Sequence, residues 1–335
     1  MSKGDVFGRA AQELVLSMSA GSMSSTTYDT AIVAAFQESA GTGLNRAVFP
    51  EAVRWLRDHQ NPDGSWGAHL ALGHDRVVST LAAVAALADN PADHAAVQRG
   101  IGYLHEHGDA WRCCPHETVA FELIVPTMVD QVAHRGLWLP ERHFAGLSEM
   151  RLRKLKMLRP LGAAVRTASI AHSLEAFGDL LTDEELSGAA TVDGSAGCSP
   201  SATAYVWSRL RKPQALENLR RTAAGQPDGG IPNVIPFDVF ERAWTLYVLQ
   251  EAGLQPSAAE HHLTYLRDSL TEGGVGFARG LSVPDSDDTG MVINVLHRAG
   301  KPVDQLVPVL LSFERDDHFA CFHVERDPSV TANAR

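Results

Sequence analysis

Residues 76–88, RVVSTLAAVAALA, are apolar on nearly every side when wound as a helix, and only a helix enclosed by others can bury such a surface. The chain supplies candidates for the enclosure. Residues 47–59, AVFPEAVRWLRDH, turn Val48, Val53 and Leu56, with Trp55 less strictly, toward one side. Segments 120–135, 163–181, 237–253, 258–270, 288–299 and 303–313 also read as helices. Ala and Leu are abundant and strand-rich runs of Val, Ile and Thr are scarce, so the fold class is all-α. At 335 residues and 44% hydrophobic, the chain is long enough for two packed units with buried cores.

Short glycine-bearing connectors separate the helices: QNPDGSWG at Gln60–Gly67, DGSAG at Asp193–Gly197, DGG at Asp228–Gly230 and EGGVG at Glu272–Gly276. Each carries Asp-Gly or Gly-Gly turn chemistry. Their recurrence suggests paired helices ringing a cavity as an α-barrel; ordinary interhelical turns are the plainer alternative.

A net charge of −11 argues against a nucleic-acid partner. Basic residues gather at one place, Arg151, Arg153, Lys154, Lys156 and Arg159, which reads either as a solvated helix face or as a site for an anion. The four cysteines, Cys113, Cys114, Cys198 and Cys321, form no disulfide framework and suit a reducing cytoplasm. Cys113, Cys114 and His116 have the wrong spacing for zinc and no evident fourth ligand. No signal peptide or transmembrane segment is evident.

The sharpest local feature is Pro284-Asp285-Ser286-Asp287-Asp288-Thr289-Gly290. Three carboxylates in four positions repel one another unless a metal or a proton intervenes. A calcium loop would need a bidentate Glu where Leu296 stands, and the DDxxD of ionising terpene synthases would need a third Asp that neither this cluster nor Asp316-Asp317 has. Brønsted acid chemistry remains, because a buried carboxyl beside other carboxyls keeps its proton to higher pH. A solvated acidic loop is the bland alternative.

Asp285-Ser-Asp-Asp288 followed by Thr289 resembles the DxDD motif of class II terpene cyclases, whose middle Asp, here Asp287, is the proton donor. The match has company. STTYDTA at Ser25–Ala31 is similar to the family's SxYDTAW, with Ile32 in place of Trp. QNPDGSWG resembles its first QW-type turn, Asp75-Arg76 with Ser79-Thr80-Leu81-Ala82 its following helix, Phe121-Glu122 to Pro126 its FExxxP segment, and SPSATA at Ser199–Ala204 its SPSxTA. AHSLE at Ala171–Glu175 is similar to the LHSLEG of ent-copalyl diphosphate synthases, and Pro232-Asn233-Val234 reproduces their PNV. In that subgroup the His and Asn, here His172 and Asn233, jointly hold a water that removes the final proton. Lys154-Leu155-Lys156 resembles the family's KLK, which implies Lys154 as the diphosphate contact, with Lys156 and Arg153 as its neighbours. Ser329-Val-Thr-Ala-Asn333 resembles a segment whose Asn, here Asn333, bonds the acid.

The resemblance implies a two-domain βγ cyclase of the bacterial ent-copalyl diphosphate synthase kind. Its β domain would be residues 1–27 and 200–335, incomplete at the C-terminus, and its γ domain the inserted 28–199. The implied reaction is protonation-initiated bicyclisation of geranylgeranyl diphosphate to ent-copalyl diphosphate. Asp287 would be the acid, flanked by Asp285 and Asp288. Another copalyl stereoisomer, a halimane-type or a farnesyl-derived drimane-type diphosphate are alternative products; a non-catalytic βγ scaffold is an alternative of another class. Mg2+ is the expected cofactor, because a diphosphate normally travels with it. Its ligands are not assignable, since Asp109–Glu117 carries only two carboxylates where relatives have an acidic EDxxD-like stretch. Relatives continue past Asn333 through further helices, so the closing helices would be a separate piece or part of a longer chain. A homo-oligomer is compatible with the sequence.

Overall fold

The computed structural model describes residues 3–19, 21, 23–39, 45–114, 118–158, 169–191, 193–280, 282–323 and 329–333. They form two compact units. The smaller comprises Met1–Ser22 and Ile235–Arg335, and the larger Met23–Val234. Apart from isolated bridges, strand pairing among the described residues is confined to a short antiparallel pair, Gln37–Ser39 with Asn45–Ala47.

In the larger unit the all-round apolar segment is the central helix, Gly73–Leu87, and twelve of its fifteen residues are buried. Helices Thr27–Ala34, His94–His107 and Phe121–His134 pack around it, and Leu147–Leu158 packs on the last of these. The QNPDGSWG turn is locked to the central helix by side chains. Trp66 is fully buried, its indole Nε1–H donates to Leu56 O at 2.7 Å, and its backbone N–H donates to Thr80 Oγ1 at 3.0 Å. Arg76, itself buried, donates from a guanidinium nitrogen to Ser65 Oγ at 3.1 Å.

The larger unit runs on to Val234, past the boundary expected after residue 199. Helix Pro200–Leu210 packs on Thr27–Ala34, and Pro213–Gly225 packs on Pro200–Leu210, which keeps both with this unit. Ser199 starts the first of them by accepting from Ala202 N at 3.2 Å, with Pro200 in the first turn, where its missing N–H costs nothing.

The smaller unit packs helices Asp238–Glu251, Ala259–Ser269 and Ser286–Arg298 around Val239, Ala243, Leu246, Leu266, Val292 and Val295. Helix Lys3–Ser17 adds Ala11 and Val15 to that core.

Two expected helices differ. Of 163–181, residues 163–168 lie outside the described residues. The described part, Ser169–Leu180, is 3-10 helix interrupted at Ser173 (φ −129°, ψ 42°). The helix expected over 303–313 is confined to Val307–Leu311.

Trp66 fills the space between the turn and the central helix and satisfies a backbone carbonyl there. Trp66→Ala is therefore expected to destabilise the chain by about 3–5 kcal/mol. Urea unfolding with an unchanged m-value would measure it; a loss below about 1 kcal/mol would show that the turn does not depend on this ring.

Candidate active site

The acid motif lies at the start of helix Ser286–Arg298 in the smaller unit. Asp285 is the N-cap: its Oδ1 accepts from Asp288 N at 2.8 Å, which leaves Asp287 and Asp288 in the first turn. Thr289 ties that turn to the preceding connector, since its hydroxyl oxygen accepts from Val275 N and its hydroxyl donates to Val275 O, each at 3.0 Å. Asp285 and Asp288 are 6% and 5% exposed, whereas Asp287 is half-buried.

Burial, reinforced by the Asp288 and Asp287 charges, pushes the Asp285 carboxyl well above the usual aspartate range. Burial and the Asp287 charge push Asp288 up to about 7. Burial and the crowding of carboxyls at this turn thus favour the protonated forms of Asp285 and Asp288.

Asn333 does not bond the acid. Its amide donates to Phe319 O at 2.9 Å and Ser329 O at 2.6 Å, and its oxygen accepts from Phe319 N. The hydroxyl facing Asp287 is that of Ser329, 3.5 Å from Oδ1.

The larger unit holds a cavity of about 530 Å³ bordered by both His172 and Asn233. His172 Nδ1 lies 3.0 Å from Gly197 O. A carbonyl only accepts, so Nδ1 carries a hydrogen and Nε2 is the nitrogen that can accept when the ring is neutral. Gly197 adopts φ +57°, and a Cβ there would lie 2.4 Å from Ala171 O and 2.7 Å from His172 N, so glycine is what lets this carbonyl reach the ring. Asn233 Nδ2 donates to Asp29 Oδ2 at 3.0 Å, leaving its amide oxygen as the acceptor.

Tyr28, Asp29, Glu175 and Ser201 border the same cavity. Tyr28 donates to Glu175 Oε1 at 3.1 Å, and burial with the nearby Asp29 charge pushes the Glu175 carboxyl up to about 8. Sequence reasoning assigned none of these four a role. All lie inside the STTYDTA, AHSLE and SPSATA matches, which was the available signal.

The basic cluster is divided. Lys154 pairs with Glu122 Oε1 at 3.1 Å, while Arg153 and Lys156, one helical turn apart, border a second cavity of about 720 Å³ with Leu152, Phe177 and Leu180. Arg159 lies outside the described residues.

No protein-family model matches the chain. It is 35% identical over 329 residues to an ent-copalyl diphosphate synthase of Zea mays, covering 95% of this chain and 39% of that one. An ent-copalyl diphosphate synthase of Arabidopsis thaliana, solved with an aza analogue of a geranylgeranyl thiolodiphosphate, superposes with a TM-score of 0.88 at 29% identity, over 99% of this chain and 48% of that one. The enzyme of that name from Streptomyces platensis gives 0.75 at 29% identity, over 98% and 67%. The fold is that of the class II terpene cyclases. The chain spans about two fifths of the maize relative's length.

Within this class II fold, no group of three His, Cys, Asp or Glu side chains among the described residues could hold a metal ion, those of the acid motif included. The described protein groups alone do not fit a resident magnesium. No described helix is long and apolar enough to cross a membrane.

The raised Asp288 carboxyl has a measurable consequence. Between its ordinary value of 3.8 and about 7, the unfolded chain releases this proton while the folded chain keeps it. Its contribution to stability is therefore fully present below 3.8 and is lost as pH rises toward 7. Asp288→Asn has no proton to keep. Relative to wild type it is expected to gain stability across that window by a few kcal/mol in order of magnitude. Melting temperatures from pH 4 to about 8 test this; a pH-independent difference between the two proteins would contradict it.

Proposed function

We propose that this chain carries the cyclising machinery of a class II diterpene cyclase, which closes two rings of geranylgeranyl diphosphate and leaves the diphosphate intact. The observation that carries the reading is the acid turn: three carboxyls at one helix start, two of them buried. Asp287, the least buried of the three, is the donor, and Asp285 and Asp288 keep the proton supply beside it. Protonating an unactivated alkene demands an acid held away from bulk water, and the burial of its two neighbours supports that role.

Deprotonation ends the reaction. His172 Nε2 and Asn233 Oδ1 are both acceptors and border one cavity, which suits a single water donating one hydrogen to each. Such a water turns its lone pairs outward, toward a cation, and takes the proton that leaves an olefin. The similarity of AHSLE and PNV to the ent subgroup supports ent-copalyl diphosphate as product, and the likeness to the Streptomyces platensis enzyme supports the bacterial variety of the family. We assign the diphosphate to Lys154. Magnesium would arrive with the diphosphate.

In the full-length protein, Asp287→Asn should lower turnover of geranylgeranyl diphosphate by several decades while substrate binding persists, because an amide occupies the same space but cannot donate a carboxylic proton. Appreciable cyclisation by a folded Asp287→Asn protein would remove Asp287 as the acid.

His172→Ala and Asn233→Ala should still cyclise, yet release the water from its orientation so that it adds to carbon. A hydroxylated bicyclic diphosphate should then appear, its oxygen derived from labelled solvent and read by mass spectrometry after dephosphorylation. If both variants make only the parent olefin at near-normal rate, the base lies elsewhere.

A further inference from the structure

Asp29 is 0% exposed. A carboxylate so placed must be met by donors, and three meet it. Ser201 Oγ donates to Oδ1 at 2.8 Å, while Thr26 Oγ1 and Asn233 Nδ2 donate to Oδ2 at 2.7 and 3.0 Å. Burial raises this carboxyl above its ordinary value, and the bonds from Asn233, Thr26 and Ser201 offset only part of that rise. The consequence for Asn233 is directional. An amide has one accepting end and one donating end, and nothing in its shape chooses between them. Asp29 accepts at both oxygens, and its Oδ2 takes the NH2 end of Asn233 rather than the amide oxygen.

We propose that Asp29 is a positioning residue for the terminating base: its carboxylate turns the Asn233 amide so that the carbonyl oxygen, not the NH2, is offered to the cavity bordered by His172. This rests on the reading in which His172 and Asn233 hold the deprotonating water. With the amide reversed, the water would meet one acceptor and one donor. One of its lone pairs would then be used in accepting from Asn233, and its orientation toward the cation would be lost. Gly197 does for the ring what Asp29 does for the amide, since its carbonyl fixes which nitrogen of His172 carries the hydrogen. The pair of acceptors is therefore set from behind by two groups that need not touch substrate.

The test uses the full-length protein with geranylgeranyl diphosphate and magnesium, and reads the ratio of hydroxylated to olefinic bicyclic product in labelled water. Asp29→Asn keeps size but can present either amide end to Asn233; Asp29→Ala removes the partner. Both should raise the ratio about tenfold, the worth of one oriented hydrogen bond. In the Asn233→Ala background the same substitutions should add nothing, because the residue they orient is already gone. A ratio unchanged by Asp29→Asn and Asp29→Ala, while Asn233→Ala raises it, would overturn the positioning role and leave the base reading standing. A further rise in the Asn233→Ala background would also overturn it. If Asn233→Ala itself leaves the ratio unchanged, the base reading falls and the proposal with it.

A second measurement needs no turnover. With Asn-selective nitrogen-15 labelling, the Asn233 side-chain amide is identified by its absence in Asn233→Ala. Its exchange with solvent should quicken about tenfold in Asp29→Ala as the bond to the carboxylate is lost. Unchanged exchange would mean that Asp29 does not hold this amide.

Discussion

A carboxyl without water must be met by hydrogen-bond partners, and in the larger unit Asp29 draws them from three parts of the chain: Thr26 beside it, Ser201 at a helix start and Asn233 near the unit's end. Its neighbours extend the same tie. Thr30 Oγ1 accepts from Ile231 N at 2.9 Å, Thr26 N donates to Ile231 O at 2.9 Å, and Met23 N donates to Val234 O at 3.2 Å. Asp228 makes a second node, accepting from Ser25 Oγ at 2.9 Å and Trp55 Nε1 at 3.1 Å. The two ends of the unit are thereby joined, and the cavity wall carrying His172 and Asn233 is built against this polar network. Such a network permits few alternative packings, because each one would strand a buried charge.

The protein buries carboxyls in two opposite ways. Asp29 is given donors. Asp285 and Asp288 are instead set against each other and against Asp287, so that burial and mutual repulsion retain protons. Glu175 belongs to the second class despite its place near Asp29. It borders the cavity, yet its carboxyl is pushed up to about 8, first by burial and then by the Asp29 charge. A protonated Glu175 keeps a second permanent anion off the wall that bears Asp29. The two arrangements differ in who supplies the hydrogens: neighbouring donors at Asp29, the carboxyls' own protons at Asp285 and Asp288.

Short-range chemistry was legible in the sequence and long-range partnership was not. The helix expected over 288–299 is present, and it begins two residues earlier, at Ser286, because Asp285 caps it. The apolar run from Arg76 announces the central helix. Helix Leu147–Leu158, by contrast, interleaves six apolar residues with five charged ones, and the charges drew the reading to a basic cluster alone; its packing on Phe121–His134 shows the helix. Thr27–Ala34 is only eight residues long, too short for periodicity to declare itself. Nor does spacing say which atom an amide will meet. Asn333 was expected at the acid, but the backbone of Phe319 and Ser329 takes its donors and its acceptor, and a serine four residues earlier faces Asp287.

The division of the basic cluster follows from the same helical geometry. Arg153 and Lys156 share a face because they are three residues apart, and Lys154, about a third of a turn away from Arg153, belongs to another. Its partner, Glu122, sits at the start of helix Phe121–His134, where a carboxylate is favoured by the helix dipole. The pair is only partly shielded, with side chains 44% and 20% exposed, so its net worth is at most about 1 kcal/mol. An ammonium held so weakly can change partners cheaply. Glu122, in the first turn of its helix, keeps the dipole's support whether or not the ammonium stays with it, so parting the two strands neither charge.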